Sequence, residues 1–335
     1  MARILGVVAA AVILLAGIAA VYVYNRITSF DLERVTDDVH VIHNGIAGNV
    51  GVLATETGAV VVDTMSFTLQ GRQLRELAEK LGGGPTQAII NTHYHRDHTH
   101  GNPAFALGAR FVATRRTRDY LMYLDAEYWQ GAAEQTLPNE AFEREHEMKV
   151  GGKTIRSYHV GPGHTGGDLV VLFVEDRVLH AGDLLFHREY PFVDVVAGGS
   201  LRDWIAALER VLELDFDLVI PGHGGGVSDR EGVKAFQRLL RELWAQVDAA
   251  VRAGKSLEET LAAVTLSEDA GYQVRSIPFT MRLDRDFAVR RAYQEATGAL
   301  RPAQIPRQGA GLPGANSGIA AQTPPTRAEL EDLSS

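Results

Sequence analysis

The chain contains no cysteine in its 335 residues, so it has neither disulfides nor thiolate ligands for a metal. Any bound metal must therefore use nitrogen and oxygen donors. The sequence also lacks a basic balance: its formal net charge of −9 does not favour nucleic acid as a partner. No repeat of solenoid period is visible. The composition, 45% hydrophobic and 22% charged, is that of a globular protein long enough for one large α/β domain or two small ones.

The first residues form an uninterrupted apolar run from Ile4 to Tyr24. Roughly 20 such residues span a bilayer, and the run has no amphipathic period. We therefore expect residues 1–28 to be a transmembrane helix that anchors the chain, with the following domain on the periplasmic or extracytoplasmic side. A signal peptide cut after the small residues Ala19 and Ala20 is the alternative, and it would release a secreted form.

Strands and helices alternate along residues 29–300, which we predict to be one α/β domain. Two Val-rich runs on either side of residues 56–58 predict a β-hairpin. The leucine spacing in residues 69–81 predicts a helix that stops at three glycines, and the strand AIINTH follows it. This strand, helix and strand unit, with similar alternations later in the chain, indicates a sheet covered by helices.

The C-terminal part of the chain carries two patterns of helix initiation. Ser228 with Glu231, and Ser256 with Glu259, match capping boxes, so each pair predicts the start of a helix. Residues 301–335 are rich in Pro, Gly, Ala, Gln and Ser, and such a composition buries too little apolar surface to offset the cost of ordering. We expect that segment to be a disordered tail.

The densest group of metal donors follows an apolar strand in NTHYHRDHTHGN, residues 91–102. It places His93, His95, Asp97 and His98 within six positions. Alternation along an extended chain directs His93 and His95 to one side, and the other two follow as the chain turns. One loop can thereby serve two neighbouring ions, so we expect two metal sites rather than one.

Three further donors stand where predicted strands give way to loops, the position at which α/β proteins commonly carry their sites. They are His164 in VGPGHTGGD, Asp183 in LHAGD and His223 in VIPGHGGG. Each has a neighbouring glycine that lets the backbone turn sharply. One such short motif is weak evidence, but three in succession after HxHxDH form a specific pattern. We predict that all seven residues belong to one metal centre.

The order of these motifs resembles the metallo-β-lactamase superfamily over about residues 37–265. The resemblance implies a four-layer αββα sandwich with the site at one edge, between two sheets. It also implies two triads of ligands joined by a shared carboxylate: His93, His95 and His164 for one ion, Asp97, His98 and His223 for the other, and Asp183 between them. Asp63, at the end of its strand, would support the HxHxDH loop from behind.

The same resemblance implies two divalent ions with a bridging hydroxide. Zinc suits an imidazole-rich site best, and iron or manganese accept the same donors. Such ions would activate water near neutral pH, and the expected activity is hydrolysis of a small-molecule ester, thioester or lactone. Asp97 and Asp183 are the candidate catalytic residues. Asp97 acts either as a ligand or as a proton acceptor, and no protein nucleophile is required.

Other branches of the superfamily define the alternatives. Because the chain has no cysteine, the β-lactamases with a cysteine ligand do not apply, although β-lactam hydrolysis stays open. Asp183 favours glyoxalase-II-like hydrolases and lactonases over a lactamase branch that lacks this residue. An iron-dependent persulfide dioxygenase and a non-catalytic metal-binding domain are the remaining alternatives. The complete second triad favours hydrolysis over both. The flavin-linked oxygen reductases carry a glutamate where His95 stands, so they are excluded.

Several residues beside the motifs have a less specific signal. Those that could line a pocket are Tyr94, His187, Arg188, Tyr190 and Phe192, although packing or solvation is the commoner role of such residues. His100 is expected either to support the ligands from behind or to be structural. A structural role is also expected for His40, His43, His146, His159 and His180. Trp204 and Trp244 stand at helical spacing with leucines, so we expect them in the core.

Overall fold

The structure, a computed structural model, describes residues 2–105, 108–267, 269–277 and 281–305, with the side chains of residues 2–11 and 277 excepted. The strands are β1 Asp31–Arg34, β2 Val39–His43, β3 Val50–Thr55, β4 Gly58–Val62, β5 Thr86–Ile90, β6 Arg110–Thr114, β7 Glu140–Phe142, β8 Glu145–Val150, β9 Lys153–Tyr158, β10 Val170–Phe173, β11 Val178–His180, β12 Leu218–Ile220, β13 Ser228–Asp229, β14 Arg275–Ile277 and β15 Met281–Leu283. The α-helices are α1 Ala2–Thr28, α2 Thr68–Leu81, α3 Arg96–Thr99, α4 Arg115–Tyr123, α5 Leu201–Glu213, α6 Arg230–Arg252, α7 Leu257–Ala263 and α8 Arg285–Thr297.

Two large sheets form the body of the described chain. The first has seven strands in sequence order; β1 to β4 pair antiparallel, and β4 to β7 pair parallel. The second has six strands in the order β13-β12-β11-β10-β9-β8, with β11 and β12 parallel and the other pairs antiparallel. A separate hairpin pairs β14 with β15. The predicted hairpin lies between β3 and β4, and the predicted helix at 69–81 is α2.

The two sheets pack face to face, and side-chain alternation assigns each strand residue to a layer. In β4, Val60 and Val62 point into the core between the sheets, whereas Ala59 and Val61 point outward to the layer that contains Leu74 of α2. Both faces of the strand are buried, which explains its continuous apolar sequence.

Helices α5, α6 and α8 cover the outer face of the second sheet. The indole of Trp204 is fully buried in this layer, as predicted, and its Nε1 donates to the Leu184 carbonyl at 3.1 Å. Trp244 packs against the same layer but is only partly buried. With α2 on the first sheet, the layers read helix, sheet, sheet and helix, so the predicted αββα sandwich is confirmed.

Helix α6 begins differently from the sequence-based prediction. Ser228 is not its N-cap, because Ser228 lies in β13, where Val219 of β12 is its partner. The cap is Asp229, whose Oδ1 accepts from the Gly232 backbone N–H at 3.0 Å. The second predicted capping box is present, since the Ser256 side chain caps α7 and Glu259 bonds back to the Ser256 backbone.

The first helix, α1, covers the apolar N-terminal run. Its end is tied to the domain by the amide of Asn44, which donates to the carbonyls of Ile27 and Ser29 at 3.1 and 2.9 Å. Among the described residues, no helix is both long and apolar enough to cross a membrane, so the predicted spanning helix is not found there. Residues 4–11 of that segment lie outside the described side chains. Residues 306–335 of the predicted tail lie outside the described chain.

Candidate metal centre

All seven predicted donors meet at one edge of the sandwich. The loop after β5 brings four of them, and the segments after β9, β11 and β12 each bring one more. They form two adjacent groups that could each hold an ion: His93, His95, His164 and Asp183 in the first, and Asp97, His98 and His223 in the second. This placement follows from topology, because parallel β11 and β12 end at the same sheet edge.

In the first group, the ligand atoms converge on a small space. His95 Nδ1 lies 3.1 Å from His93 Nε2 and 2.8 Å from His164 Nε2. Asp183 Oδ2 closes the group at 3.4 Å from His164 Nε2 and 3.8 Å from His93 Nε2. Two imidazole nitrogens on one tetrahedral zinc lie roughly 3.3 Å apart, given Zn–N bonds of about 2.0–2.1 Å. The spacing therefore suits a shared ion.

The second group has the same scale and touches the first through Asp183. His223 Nε2 lies 3.3 Å from His98 Nε2 and 3.2 Å from Asp97 Oδ2. Asp183 Oδ1 lies 3.2 Å from His98 Nε2, and its Oδ2 lies 3.3 Å from His223 Nε2. One carboxylate thus faces the donors of both groups, as a bridging ligand must.

The donor atoms at the centre are arranged for binding a metal rather than for hydrogen bonding to one another. Asp183 is 4% exposed, and its Oδ1 has no hydrogen-bond partner among the described residues. A buried carboxylate oxygen without a hydrogen bond is costly unless a cation lies beside it. The donor set is imidazole and carboxylate alone, which suits zinc and related divalent ions. These residues therefore fit a pair of divalent metal ions.

Asp63 supports the second group from behind, as the resemblance implied. It is fully buried just after β4, with a φ of 67°. Its Oδ1 accepts from the Thr92 backbone N–H at 2.8 Å, and its Oδ2 accepts from the Thr92 hydroxyl at 2.7 Å. His98 Nδ1 lies 2.8 Å from the same Oδ2. With Nδ1 donating to Asp63, His98 directs the Nε2 lone pair at the metal space.

Asp194 supports the first group, although no motif in the sequence singled it out. Its Oδ2 lies 2.9 Å from His95 Nε2 and accepts from the Tyr94 hydroxyl at 2.6 Å. The Ala197 backbone N–H donates to its Oδ1 at 3.0 Å. Burial opposes ionisation, but the hydrogen bond from His95 outweighs it and holds the pKa of Asp194 below its usual range. The one available signal was a carboxylate within the apolar run FVDVV.

His164 is positioned by a backbone group. Its Nδ1 donates to the Phe192 carbonyl at 2.6 Å, which leaves Nε2 for the metal. The Phe192 ring packs on the imidazoles of His164 and His95, with ring centroids 5.4 and 5.7 Å apart. The loop that contains Phe192 and Asp194 therefore orients two of the three histidines of the first group.

Charge at the centre suits cation binding. Burial raises the pKa of Asp183, but the surrounding imidazoles, first that of His223, hold it well below its usual range. Burial also opposes ionisation of Asp97, and His98 and His223 reverse that effect on its pKa. For His164, burial lowers the pKa to about 4, so its imidazole is neutral near pH 7 with a free lone pair.

Glycines beside the donors make room for them. A Cβ on Gly222 would lie 2.2 Å from Asp183 Oδ1, and a Cβ on Gly48 would lie 2.2 Å from His98 Cε1. Neither position can carry a side chain without displacing a donor. The glycine before His223 is therefore required by close packing against the bridging carboxylate.

The other residues that the sequence singled out have separate places. Tyr94 and Phe192 contact the centre, as described above. The Tyr190 hydroxyl donates to Asp269 at 2.8 Å, away from the seven donors, while Arg188 is exposed. His100 Nε2 lies 2.7 Å from an Asp125 carboxylate oxygen, and its ring stacks on that of Tyr128.

His180 is the last residue of β11 and is fully buried. Its Nε2 donates to the Asn49 carbonyl at 3.2 Å, and its Nδ1 accepts from the Gly182 N–H at 3.2 Å. Both nitrogens are thus used within the protein, which agrees with a structural role.

Comparison with known proteins gives a match to the family model described as the metallo-beta-lactamase superfamily, over residues 43–223. That range contains all seven donors, together with Asp63 and Asp194. The matched range ends before α6, so helices α6, α7 and α8 lie outside it.

Two relatives of similar sequence have names that describe different activities. The chain is 28% identical over 235 residues to the 2,4-dinitroanisole O-demethylase subunit alpha of Nocardioides sp. (strain JS1661), covering 69% of this chain and 68% of that protein. It is 25% identical over 238 residues to the linear primary-alkylsulfatase of Pseudomonas sp. (strain ATCC 19151), covering 58% of this chain but only 45% of that protein.

A solved structure with a similar fold is the metallo-beta-lactamase from Pontibacter korlensis. The TM-score is 0.53 at 22% identity, and the match covers 64% of this chain and 99% of that one. At this identity the likeness concerns the fold alone. It includes no counterpart for about a third of the present chain.

Proposed function

Because this chain belongs to the metallo-β-lactamase superfamily, we propose that it is a metal-dependent hydrolase that cleaves an ester, thioester or lactone bond with water at a two-metal centre. The observation that carries the proposal is the position of Asp183, whose two carboxylate oxygens face the donors of both groups. A single-ion site would not need a second triad beside it.

The residues of the centre would have different roles. His93, His95 and His164 would hold one ion and Asp97, His98 and His223 the other, with Asp183 shared between them. Two bound divalent ions would lower the pKa of a coordinated water toward neutrality and polarise the bond to be cleaved. Asp97, the ionised carboxylate nearest solvent, is placed to accept a proton. Asp63 and Asp194 would keep the imidazoles of His98 and His95 aligned.

The names of the relatives widen the class of bond to be tested. One relative is named as an O-demethylase and another as an alkylsulfatase, so an aryl methyl ether and an alkyl sulfate belong in the substrate panel. A chromogenic cephalosporin belongs there as well, since a structural neighbour is a metallo-beta-lactamase. In each of these reactions, water attacks an electrophilic atom and cleaves its bond to oxygen, nitrogen or sulfur. This donor set supports such an attack without a protein nucleophile.

The test is turnover of that panel in isotopically labelled water, with oxygen uptake followed in parallel. We expect one solvent oxygen in the product, no oxygen consumption, and a rate that rises with pH through one ionisation near neutrality and then levels off. The matched control is Asp183→Asn, which keeps the shape and removes the shared charge, and it should lose activity. A strict requirement for dissolved oxygen would instead favour the persulfide dioxygenase.

We propose a membrane location for the full chain, as predicted from residues 1–28. The large apolar side chains between Val12 and Tyr24 support it, since they are 53–72% exposed. The full chain should then fractionate with membranes, and a version that starts at Ser29 should not. Recovery of the intact full chain in the soluble fraction at low salt would show that the anchor prediction is wrong.

A further inference from the structure

Arg291 is a half-buried cation that the proposed chemistry does not use. It lies on α8, and its Nη1 donates to the neutral Oε1 of Gln294 at 3.1 Å. Its Nε is buried without a hydrogen-bond partner. Within the described part of the chain, no carboxylate lies within ion-pair distance of this guanidinium. The side chain therefore has donors to spare for a group that comes from outside the chain.

The position of Arg291 relates it to the first metal group. Its guanidinium carbon lies 5.1 Å from the centroid of the Phe287 ring and 6.0 Å from that of Phe192. The Phe192 ring in turn packs on His95 and His164. A single aromatic ring thus separates the guanidinium from two of the predicted metal ligands. A molecule that reaches both the metals and Arg291 would lie along Phe192.

Aromatic packing alone does not account for the arrangement. The flat faces of the guanidinium contact the rings of Phe287 and Phe192. Its N–H groups, however, lie in the plane of the group and need hydrogen-bond acceptors there. Burial lowers the pKa of Arg291, and Asp194 only partly offsets that effect. A guanidinium presents a planar fork of N–H groups that matches a carboxylate or a sulfonate with two parallel hydrogen bonds.

We propose that Arg291 binds an anionic group of the substrate, a carboxylate or sulfonate separate from the bond that is cleaved, while the apolar part of the substrate lies on Phe192. This inference rests on the proposed function and narrows the substrate class to anionic esters. Arg291 is then a specificity-determining residue contributed by the C-terminal helix, outside the region that the family model matches.

The experiment compares two matched substrates on the zinc-loaded full chain. One is mono-para-nitrophenyl glutarate, which carries a free carboxylate, and the other is its neutral methyl ester; nitrophenol release is followed for both. In Arg291→Met, we expect kcat/KM for the anionic ester to fall about tenfold to hundredfold, mainly through KM, because a hydrogen-bonded charge pair is lost. The value for the neutral ester should change less than about twofold.

Two further variants distinguish binding of the anionic group by Arg291 from a general effect of charge and from an effect on folding. Arg290→Met removes the same charge from the next helix position, about 100° away around the axis, and should leave both substrates unaffected. Arg291→Lys keeps the charge without the planar fork, so its loss on the anionic ester should be intermediate. An equal loss on both esters in Arg291→Met, or an equal effect of Arg290→Met, would overturn the inference.

A binding measurement makes the result independent of turnover. Glutarate is titrated calorimetrically into zinc-loaded protein, and its affinity should be about tenfold or more weaker in Arg291→Met than in the unaltered chain. If neither ester is hydrolysed but this difference is found, ester hydrolysis is removed from the proposed function and the anion site stands. If glutarate binds both proteins equally, or binds neither, the anion site is rejected.

Discussion

Asp97 is the most exposed of the seven donors. Its side chain is 25% exposed, whereas those of His93, His98 and His164 are at most 1% exposed. Its carboxylate reaches His223 Nε2 at 3.2 Å from the solvent side of the second group. At the residue scale, Asp97 can therefore be removed with less disturbance of the core than any other donor.

Asp97→Ala should release one ion and leave the fold intact, because the first group keeps three imidazoles and Asp183. Metal analysis of the purified chain should find one ion fewer than in the unaltered protein, with an unchanged far-ultraviolet circular dichroism spectrum. Asp37→Ala is the matched control, since Asp37 is a surface carboxylate whose ion pair within the described chain is with Arg34. Full metal content with unchanged activity in Asp97→Ala would remove Asp97 from the ligand set.

Asp194 gives a second prediction at this scale. Asp194→Asn keeps the shape but removes the charge that orients His95, and loss of such an outer partner typically weakens metal affinity about tenfold to hundredfold. A chelator titration should detect the loss at one of the two ions. Asp203→Asn, a change on the surface of α5, should have no effect. If both variants behave alike, Asp194 is not a positioning residue for the centre.

At the scale of single elements, the ends of strands and helices decide where side chains stand. The parallel pair β11 and β12 ends at a common edge, which brings Asp183 and His223 together although 40 positions separate them in the sequence. Likewise, the pairing of Ser228 in β13 delays the start of α6 by a residue and makes Asp229 its cap.

The cap of α6 is open to a direct test by mutation. Asp229→Ala should lower the free energy of unfolding by about 1 kcal/mol, because it removes the acceptor for the Gly232 N–H and a negative charge at the helix N-terminus. Ser228→Ala should cost less than about 0.5 kcal/mol, since Asp229 and not the Ser228 hydroxyl caps the described helix. Chemical denaturation of both variants measures this, and the reverse order would restore Ser228 as the cap.

For the fold as a whole, stability toward acid depends on the buried imidazole of His180 staying neutral. Burial lowers the pKa of His180 to about 4 from its ordinary 6.5. Because the folded pKa lies below the unfolded one, this residue's contribution is fully present above pH 6.5 and is lost as the pH falls toward 4. Acid therefore destabilises the fold through His180.

His180→Gln should flatten that pH dependence. Between these two pH values, the unaltered chain should lose on the order of 3 kcal/mol more unfolding free energy than the variant, since a pKa unit corresponds to about 1.4 kcal/mol. Denaturant titrations of metal-free protein across the window measure the difference and keep metal release out of it. His159→Gln serves as the control, because its ring is only partly buried. Parallel pH profiles for the unaltered chain and His180→Gln would contradict the prediction.

The seven candidate donors could be predicted from local patterns in the chain, and the αββα layers were implied by the resemblance that those patterns carry. His93, His95, Asp97 and His98 share one loop, and the other three donors each stand beside glycine at a strand end, so their signals are local in the chain. Apolar periodicity likewise predicted the hairpin and α2, because side-chain periodicity follows directly from backbone geometry.

The groups that surround the donors depend on how the sheets and the C-terminal helices pack together. Asp194 is 99 positions from the His95 that it orients, and Arg291 on α8 lies 6.0 Å from the centroid of the Phe192 ring. No local pattern marks such partners, because a hydrogen bond or a charge pair depends on distance in space, and the packing of the sheets and C-terminal helices sets that distance. Ser228 was misjudged for the same reason: a capping pattern is local, whereas the pairing of β13 with β12 is not.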